Sequence, residues 1–322
     1  MVEVPVRRAA PARAAASAPP GAAALLAPGQ GAQRPGQLAP WLELPGAREQ
    51  LGELSEAAGV DLVAAGTTWS AEQILPTQVA QPLLVATSLL VGRELLRDGA
   101  PGFLAGHSVG EWTAAALAGV LDDASALRLV AARGRAMAAC CDGRSGMSVV
   151  LGGEAGEVLD AVARNGLLAA NHNGAGQLVV GGPDEALRAL EEDRPAGSLV
   201  RRLPVAGAFH TPAMAGAVPV LRAAADGVLA ADPVHPLLSN ADGAVVTTGP
   251  EVLRRLVAQV AGPVRWDLCT AAMTRAGTPA FVELPPAGAL SGLVRRALPR
   301  ARVLAVRGPE DLPAAAQLLG GS

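Results

Sequence analysis

Residues Gly106-His107-Ser108-Val109-Gly110 form a G-x-S-x-G pentapeptide. An apolar run, Phe103-Leu104-Ala105, precedes it, and an alanine-rich, helix-like segment from Glu111 to Leu117 follows it. Strand, sharp turn and helix are the setting in which this pattern exposes a serine as a nucleophile. The turn crowds the serine backbone, so both flanking positions need glycine. The Val109 amide, at the start of the helix, would then point to where an oxyanion forms during acyl transfer.

A serine hydroxyl is a weak nucleophile until a base takes its proton. Four histidines are available, at 107, 172, 210 and 235. His107 is adjacent to Ser108, so on such a turn its side chain points away and reads as a packed structural residue. His172 falls in a turn and His235 in a Pro-Val-His-Pro loop. His210 follows Val205-Ala206-Gly207-Ala208-Phe209 and lies 102 residues after the serine. Serine before histidine is the chain order of α/β-hydrolase-like sites. Position alone makes His210 a candidate and no more.

The elements that must position these groups alternate in type. Strands are expected at 22–26, 103–105, 237–239, 280–284 and 302–305, with helices near 46–58, 77–97, 124–139, 214–229, 250–260 and 287–298. That alternation predicts an α/β fold with a mostly parallel sheet and helices on both faces. Between them the rhythm changes. A strand at 147–151, a helix at 155–165, strands at 167–171 and 178–180 around a turn at 173–176, a helix at 184–192 and a strand at 198–205 give the order of a ferredoxin-like unit. The expected organisation is a large α/β-hydrolase-like domain over 22–144 and 207–322, interrupted by a small subdomain over 145–206. Residues 1–21, with three arginines and many alanines and prolines, read as a disordered extension. They lack the contiguous apolar stretch of a secretion signal.

The 322 residues contain no lysine, no tyrosine and one isoleucine, which reads as codon pressure unrelated to function. A net charge of −3 gives no reason to expect nucleic acid or an anionic membrane as partner. No apolar run is long enough to span a bilayer. Cys140, Cys141 and Cys269 make neither a disulfide framework nor a zinc site, and fit a reducing, cytoplasmic compartment.

An ordered series of motifs extends the reading beyond the pentapeptide. It comprises Gly29-Gln30-Gly31-Ala32-Gln33, Gln81-Pro82-Leu83-Leu84-Val85-Ala86, Gly106-His107-Ser108-Val109-Gly110-Glu111 and Arg133-Gly134-Arg135-Ala136-Met137. Asn171-His172-Asn173-Gly174-Ala175-Gly176-Gln177, Gly207-Ala208-Phe209-His210-Thr211 and Pro263-Val264-Arg265-Trp266 complete it. From about residue 22 onward the chain resembles the malonyl-coenzyme A:acyl carrier protein transacylases of bacterial fatty acid synthesis.

The resemblance implies a role for each matching residue. Ser108 would attack the malonyl thioester, with His210 as base. The other ring nitrogen of His210 would be held by the backbone carbonyl of Arg265, which would explain why no triad aspartate is evident. The amides of Gln30 and Val109 would bind the oxyanion. Arg133, otherwise one surface arginine among many, would clamp the malonyl carboxylate through two parallel hydrogen bonds. Gln177 would lie close to that carboxylate, with Met137 and Asn171 among the substrate-binding positions, and Phe209 would fill the volume a 2-methyl branch needs. The resemblance further implies malonyl-coenzyme A and acyl carrier protein as partners, coenzyme A and phosphopantetheine entering as parts of the substrates, and no metal and no other cofactor; a monomer is the default expectation. Glu283-Leu284-Pro285-Pro286 departs from the pattern toward the malonyl transferase subunit of malonate decarboxylase. A serine hydrolase or thioesterase and a non-catalytic docking subunit are the rival readings.

Overall fold

The computed structural model describes residues 22–320. The expected extension at 1–21 lies outside them. Ten strands fall in two sheets: β1 (Ala24–Ala27), β2 (Phe103–Gly106), β3 (Ser145–Gly152), β4 (Leu168–Gly174), β5 (Gln177–Pro183), β6 (Ser198–Arg202), β7 (Leu237–Leu238), β8 (Val245–Val246), β9 (Ala280–Glu283) and β10 (Arg302–Ala305).

The larger sheet runs β10-β9-β1-β2-β7-β8, parallel except for the β7–β8 pair. Its central strands are short and buried at every residue, as strands covered by helices on both faces should be. β1 and β2 are neighbours in register, Ala27 opposite Gly106, so the loops leaving both strands emerge side by side at one carboxyl edge. In open parallel sheets this edge is where ligands bind. The Gln30 loop and the Ser108 turn are those two loops.

The smaller sheet, β4-β5-β3-β6, is antiparallel throughout, and with the helices Ala155–Arg164 and Asp184–Glu192 it follows the β-α-β-β-α-β order. Both helices bury a narrow stripe, Val158, Ala161 and Val162 on one and Leu187 and Leu190 on the other, and these close a separate small core. The edge strand β4 is joined to the larger unit by backbone bonds. Val264 N donates to the Ala170 carbonyl and His172 N to the Val264 carbonyl.

Three expectations needed revision. The helix expected over 214–229 is a 3₁₀ turn at Pro212–Met214 and a helix confined to Ala217–Ala225. The helix Trp266–Arg275 and the strand β8 were not anticipated. Trp266, Cys269, Thr270 and Met273 give that helix its buried stripe, but only three of the four are apolar. The expected 173–176 turn shrinks to Ala175-Gly176 because the strands on both sides continue, pairing Gly174 with Gln177.

Candidate active site

Ser108 sits at φ +54°, in the left-handed region that a side chain rarely adopts. The neighbouring glycines permit it. A Cβ on Gly106 would stand 2.0 Å from the Gly110 carbonyl, and one on Gly110 would stand 2.2 Å from the Ala27 carbonyl. The turn is further held by Asn240. Its Nδ2 donates to the Gly106 carbonyl at 2.8 Å and its Oδ1 accepts the Ser108 amide at 2.8 Å.

Ser108 Oγ lies 2.6 Å from His210 Nε2. His210 Nδ1 lies 2.9 Å from the Gln259 carbonyl. A carbonyl only accepts, so Nδ1 carries the proton and the Nε2 lone pair faces the serine hydroxyl. Burial, reinforced by the nearby Arg133 charge, pushes the imidazole down to about 3, so it is neutral at physiological pH and able to accept a proton. His210 shares the strained backbone of its partner, with φ +62°.

The carbonyl at Nδ1 therefore belongs to Gln259, which corrects the expectation for Arg265. Arg265 precedes the helix Trp266–Arg275, and its carbonyl is taken by the Leu268 and Cys269 amides of the first turn. Its guanidinium pairs with Asp267 at 2.8 Å.

Arg133 has no exposed surface. Gly134 makes this possible: a Cβ there would come within 2.9 Å of the backbone at Thr77 and Gln78, so the helices Asp123–Ala139 and Thr77–Leu95 cross closely. Arg133 Nη2 donates to Ser108 Oγ at 3.3 Å and to Gln259 Oε1 at 3.0 Å. Its Nε and Nη1 are buried with no hydrogen-bond partner among the described residues. Burial lowers the guanidinium to about 9, against the opposing influence of Glu111, which leaves it charged at neutral pH.

The Gln30 and Val109 amides donate to no acceptor among the described residues. Gln30 is held in place by its side chain, which donates to Thr77 Oγ1 at 3.3 Å and accepts from Gln81 Nε2 at 3.1 Å. The Ser108 hydroxyl opens into a cavity of about 70 Å³ that Gln30, Met137, Asn171, Phe209 and His210 help to line. It adjoins a cleft of about 440 Å³ that shares Gln30 and Val205 with it. A separate cavity of about 700 Å³ contains neither Ser108 nor His210.

Gln177 is not part of this group. Its pairing with Gly174 and Leu151 holds it at the far end of β5, where it lines a separate cavity with His172 and Asp267. His107 also lines the Ser108 cavity, but its side chain is engaged elsewhere. Its Nε2 is 2.9 Å from Asn173 Oδ1 and its ring packs on Trp266.

Sequence reasoning passed over Glu111, Asn240 and Gln259. Glu111 carried a signal. It is the one acid in the otherwise uncharged segment Gly110–Leu117, all eight residues of which are buried. Its carboxylate accepts from the Asn240 amide at 3.0 Å and from Gln259 Nε2. Burial raises it to about 7.

Residues 26–308 match the acyl transferase domain family. The chain belongs to that family. It is 50% identical over 300 residues to the malonyl CoA-acyl carrier protein transacylase of Mycobacterium bovis, covering 92% of this chain and 99% of that one. The crystal structure of MCAT from Mycobacterium tuberculosis superposes with a TM-score of 0.87 at 49% identity, covering 91% and 99% of the two chains. A malonyl-transacylase solved in complex with a type II PKS acyl-carrier protein superposes with a TM-score of 0.84 at 29% identity, covering 91% and 98%. The chain is an acyltransferase with a mostly parallel sheet and a smaller antiparallel one. No helix among the described residues is long and apolar enough to cross a membrane.

Proposed function

We propose that this acyltransferase moves the malonyl group from malonyl-coenzyme A to the phosphopantetheine thiol of an acyl carrier protein, through an ester on Ser108. One observation carries the reading: a single hydroxyl receives both a neutral, buried imidazole and a buried arginine with unpartnered donors. The imidazole supports nucleophilic attack. The guanidinium supports an acyl group that ends in a carboxylate.

In the first half-reaction, His210 Nε2 takes the Ser108 proton as Oγ attacks the thioester carbonyl. The resulting oxyanion lies between the Gln30 and Val109 amides, each worth about 3–4 kcal/mol in the transition state. Collapse expels coenzyme A, whose sulfur takes the proton from His210. In the second, the carrier thiol gives its proton to His210 and attacks the ester, and the serine leaves as its oxygen takes that proton back from Nε2. The malonyl carboxylate is held by the Arg133 guanidinium throughout. Phe209 opposes a 2-methyl branch, a preference of about 1–3 kcal/mol and not an exclusion. Met137 and Asn171 complete the acyl pocket, and the pantetheine arm follows the adjoining cleft past Gln30 and Val205.

Metal and redox chemistry are not required, since the substrates bring their own pantetheine. The finer fold reading is a hydrolase-like nucleophile turn in a domain over 22–144 and 207–322, with a ferredoxin-like insert over 145–206. A monomer working in the cytoplasm beside its carrier protein completes the proposal.

Intact mass after mixing with malonyl-coenzyme A tests the central claim. The wild type should gain one malonyl unit and Ser108→Ala none. Release of free malonate as fast as coenzyme A appears would instead make the protein a hydrolase.

A further inference from the structure

A second cavity, of about 340 Å³, is lined by Glu111, Ser239, Asp242, Arg254, Arg255 and Gln259. It shares no lining residue with the Ser108 cavity. Its outer wall is wet, because the Arg254 and Asp242 side chains are largely exposed. Its floor is the Glu111 carboxylate.

Glu111 is linked to Arg133 through one side chain. Gln259 Nε2 donates to Glu111, and Gln259 Oε1 accepts from Arg133 Nη2. In the empty enzyme the buried guanidinium has no carboxylate in contact, and Glu111, one amide away, is the buried acid whose charge it feels. A malonyl carboxylate bound at the guanidinium would give this pocket two buried acids and one fixed cation. Two like charges sharing a low-dielectric site do not both stay ionised. Malonyl ionises readily and would contact the guanidinium directly. Glu111 is held by the Asn240 amide, Gln259 Nε2 and the Ser239 hydroxyl and has no cation in contact among the described residues, so of the two acids it is the one that yields its charge.

We propose that malonyl loading displaces Glu111 as the counter-charge of Arg133, and that Glu111 then takes up one proton from solvent through this second cavity. The proton returns to solvent when the malonyl unit leaves on the carrier thiol. The inference rests on the reading of Arg133 as the carboxylate clamp. Glu111 is in this account a positioning residue. It keeps Gln259, and through it both His210 and Arg133, in place while its charge adapts to the acyl group.

The other groups that face Glu111 do not compete for that proton. Arg255 is paired with Glu251 and Asp242, and Arg254 with Glu251. The Cys269 thiol is pushed far up by burial, and His210 is held low. Glu111, raised to about 7, is the group whose protonation can change near neutral pH.

The test is proton uptake by the full-length protein on mixing with malonyl-coenzyme A in weak buffer with a pH indicator. Uptake is corrected for the freed thiol and divided by the malonyl-enzyme seen in the mass of the same sample. At about pH 8 the wild type should take up close to one proton per adduct, and at about pH 5.5 almost none, because Glu111 is then already protonated. Glu111→Gln should take up none per adduct at either pH. If that variant fails to fold or load, the pH contrast in the wild type carries the same decision. Full loading at about pH 8 without proton uptake overturns the proposal and leaves the clamp reading intact. Absence of any adduct overturns both.

Discussion

Two fully buried charged side chains show how differently this protein treats its charges. Glu283, at the end of β9, accepts from the amides of Gly288, Leu290 and Ser291 at 2.9, 2.9 and 2.7 Å. Its carboxylate neutralises the N-terminus of the helix Ala289–Ala297, where exposed amides and the helix dipole favour negative charge. Arg133 is equally buried, yet it has two nitrogens without a partner. A buried cation left partly unpaired costs several kcal/mol. The saturated charge is finished by the fold, and the unsaturated one needs a ligand to finish it. The unusual Glu283-Leu284-Pro285-Pro286 segment thus belongs to the scaffold and not to the pocket.

Removing the arginine is the most severe way to break this comparison. Arg133→Ala should lower malonyl transfer by about 3–4 kcal/mol, on the order of 100- to 1,000-fold in kcat/KM, and raise the relative acceptance of acetyl groups. Thermal stability should stay level or rise, since an incompletely paired charge leaves the core. Retained preference for malonyl over acetyl would show that the guanidinium does not bind the carboxylate. Glu283→Ala should do the reverse. Three amides lose their acceptor, for a loss of about 3 kcal/mol in denaturant unfolding, with the ratio of malonyl to acetyl transfer unchanged.

The contrast also explains what was legible in the sequence. The turn around Ser108 announces itself because glycine is forced at 106 and 110 by backbone crowding, which is a local constraint. The α/β alternation and the β-α-β-β-α-β order were legible for the same reason, being carried by local periodicity. His210 could be proposed by chain order, but its 2.6 Å contact with Ser108 is a tertiary fact. Gln259 was missed because nothing in its neighbourhood distinguishes a glutamine at a helix end from a solvated one. Its importance comes from one carbonyl and one amide that meet four other segments. Arg265 was chosen in its place because a neighbouring motif marked it, although the following helix had already claimed its carbonyl. Gln177 rests on the family resemblance alone, and the pairing of Gly174 with Gln177 at the start of β5 carries it away from the pocket.

His210 and Glu111 sharpen the comparison through pH. The unfolded imidazole titrates near 6.5 and the folded one near 3, so the unfolded chain binds more protons between those values and stability falls as pH drops. Glu111 has the opposite sign. It titrates near 4.5 unfolded and about 7 folded, so its contribution is full below 4.5 and is lost as pH rises through 7. Between about 4.5 and 6.5 the two slopes, each about 1.4 kcal/mol per pH unit, oppose one another. His210→Ala should expose the Glu111 slope, so that the variant gains stability on mild acidification where the wild type stays nearly level. A variant curve parallel to the wild type would mean that His210 does not titrate as a buried imidazole.

The smallest expected effect comes from a charge that is neither saturated by the fold nor left for a ligand. Arg93 meets Asp123 through Nε and Nη2 at distances from 2.7 to 3.2 Å, fastening the start of the helix that carries Arg133 to the helix Thr77–Leu95. The geometry is forked and short, but the Arg93 side chain is 38% exposed, so water screens the pair in both states. Asp123→Asn should therefore reduce stability by only about 0.5 kcal/mol, and less in high salt. Transfer activity should be untouched, because Gly134 and the helix crossing beside it, rather than this ion pair, set how deeply Arg133 is buried. A loss of malonyl selectivity in Asp123→Asn would mean that the helix is positioned from its solvent-facing end, and that the unpartnered state of Arg133 depends on a surface contact as well as on the core.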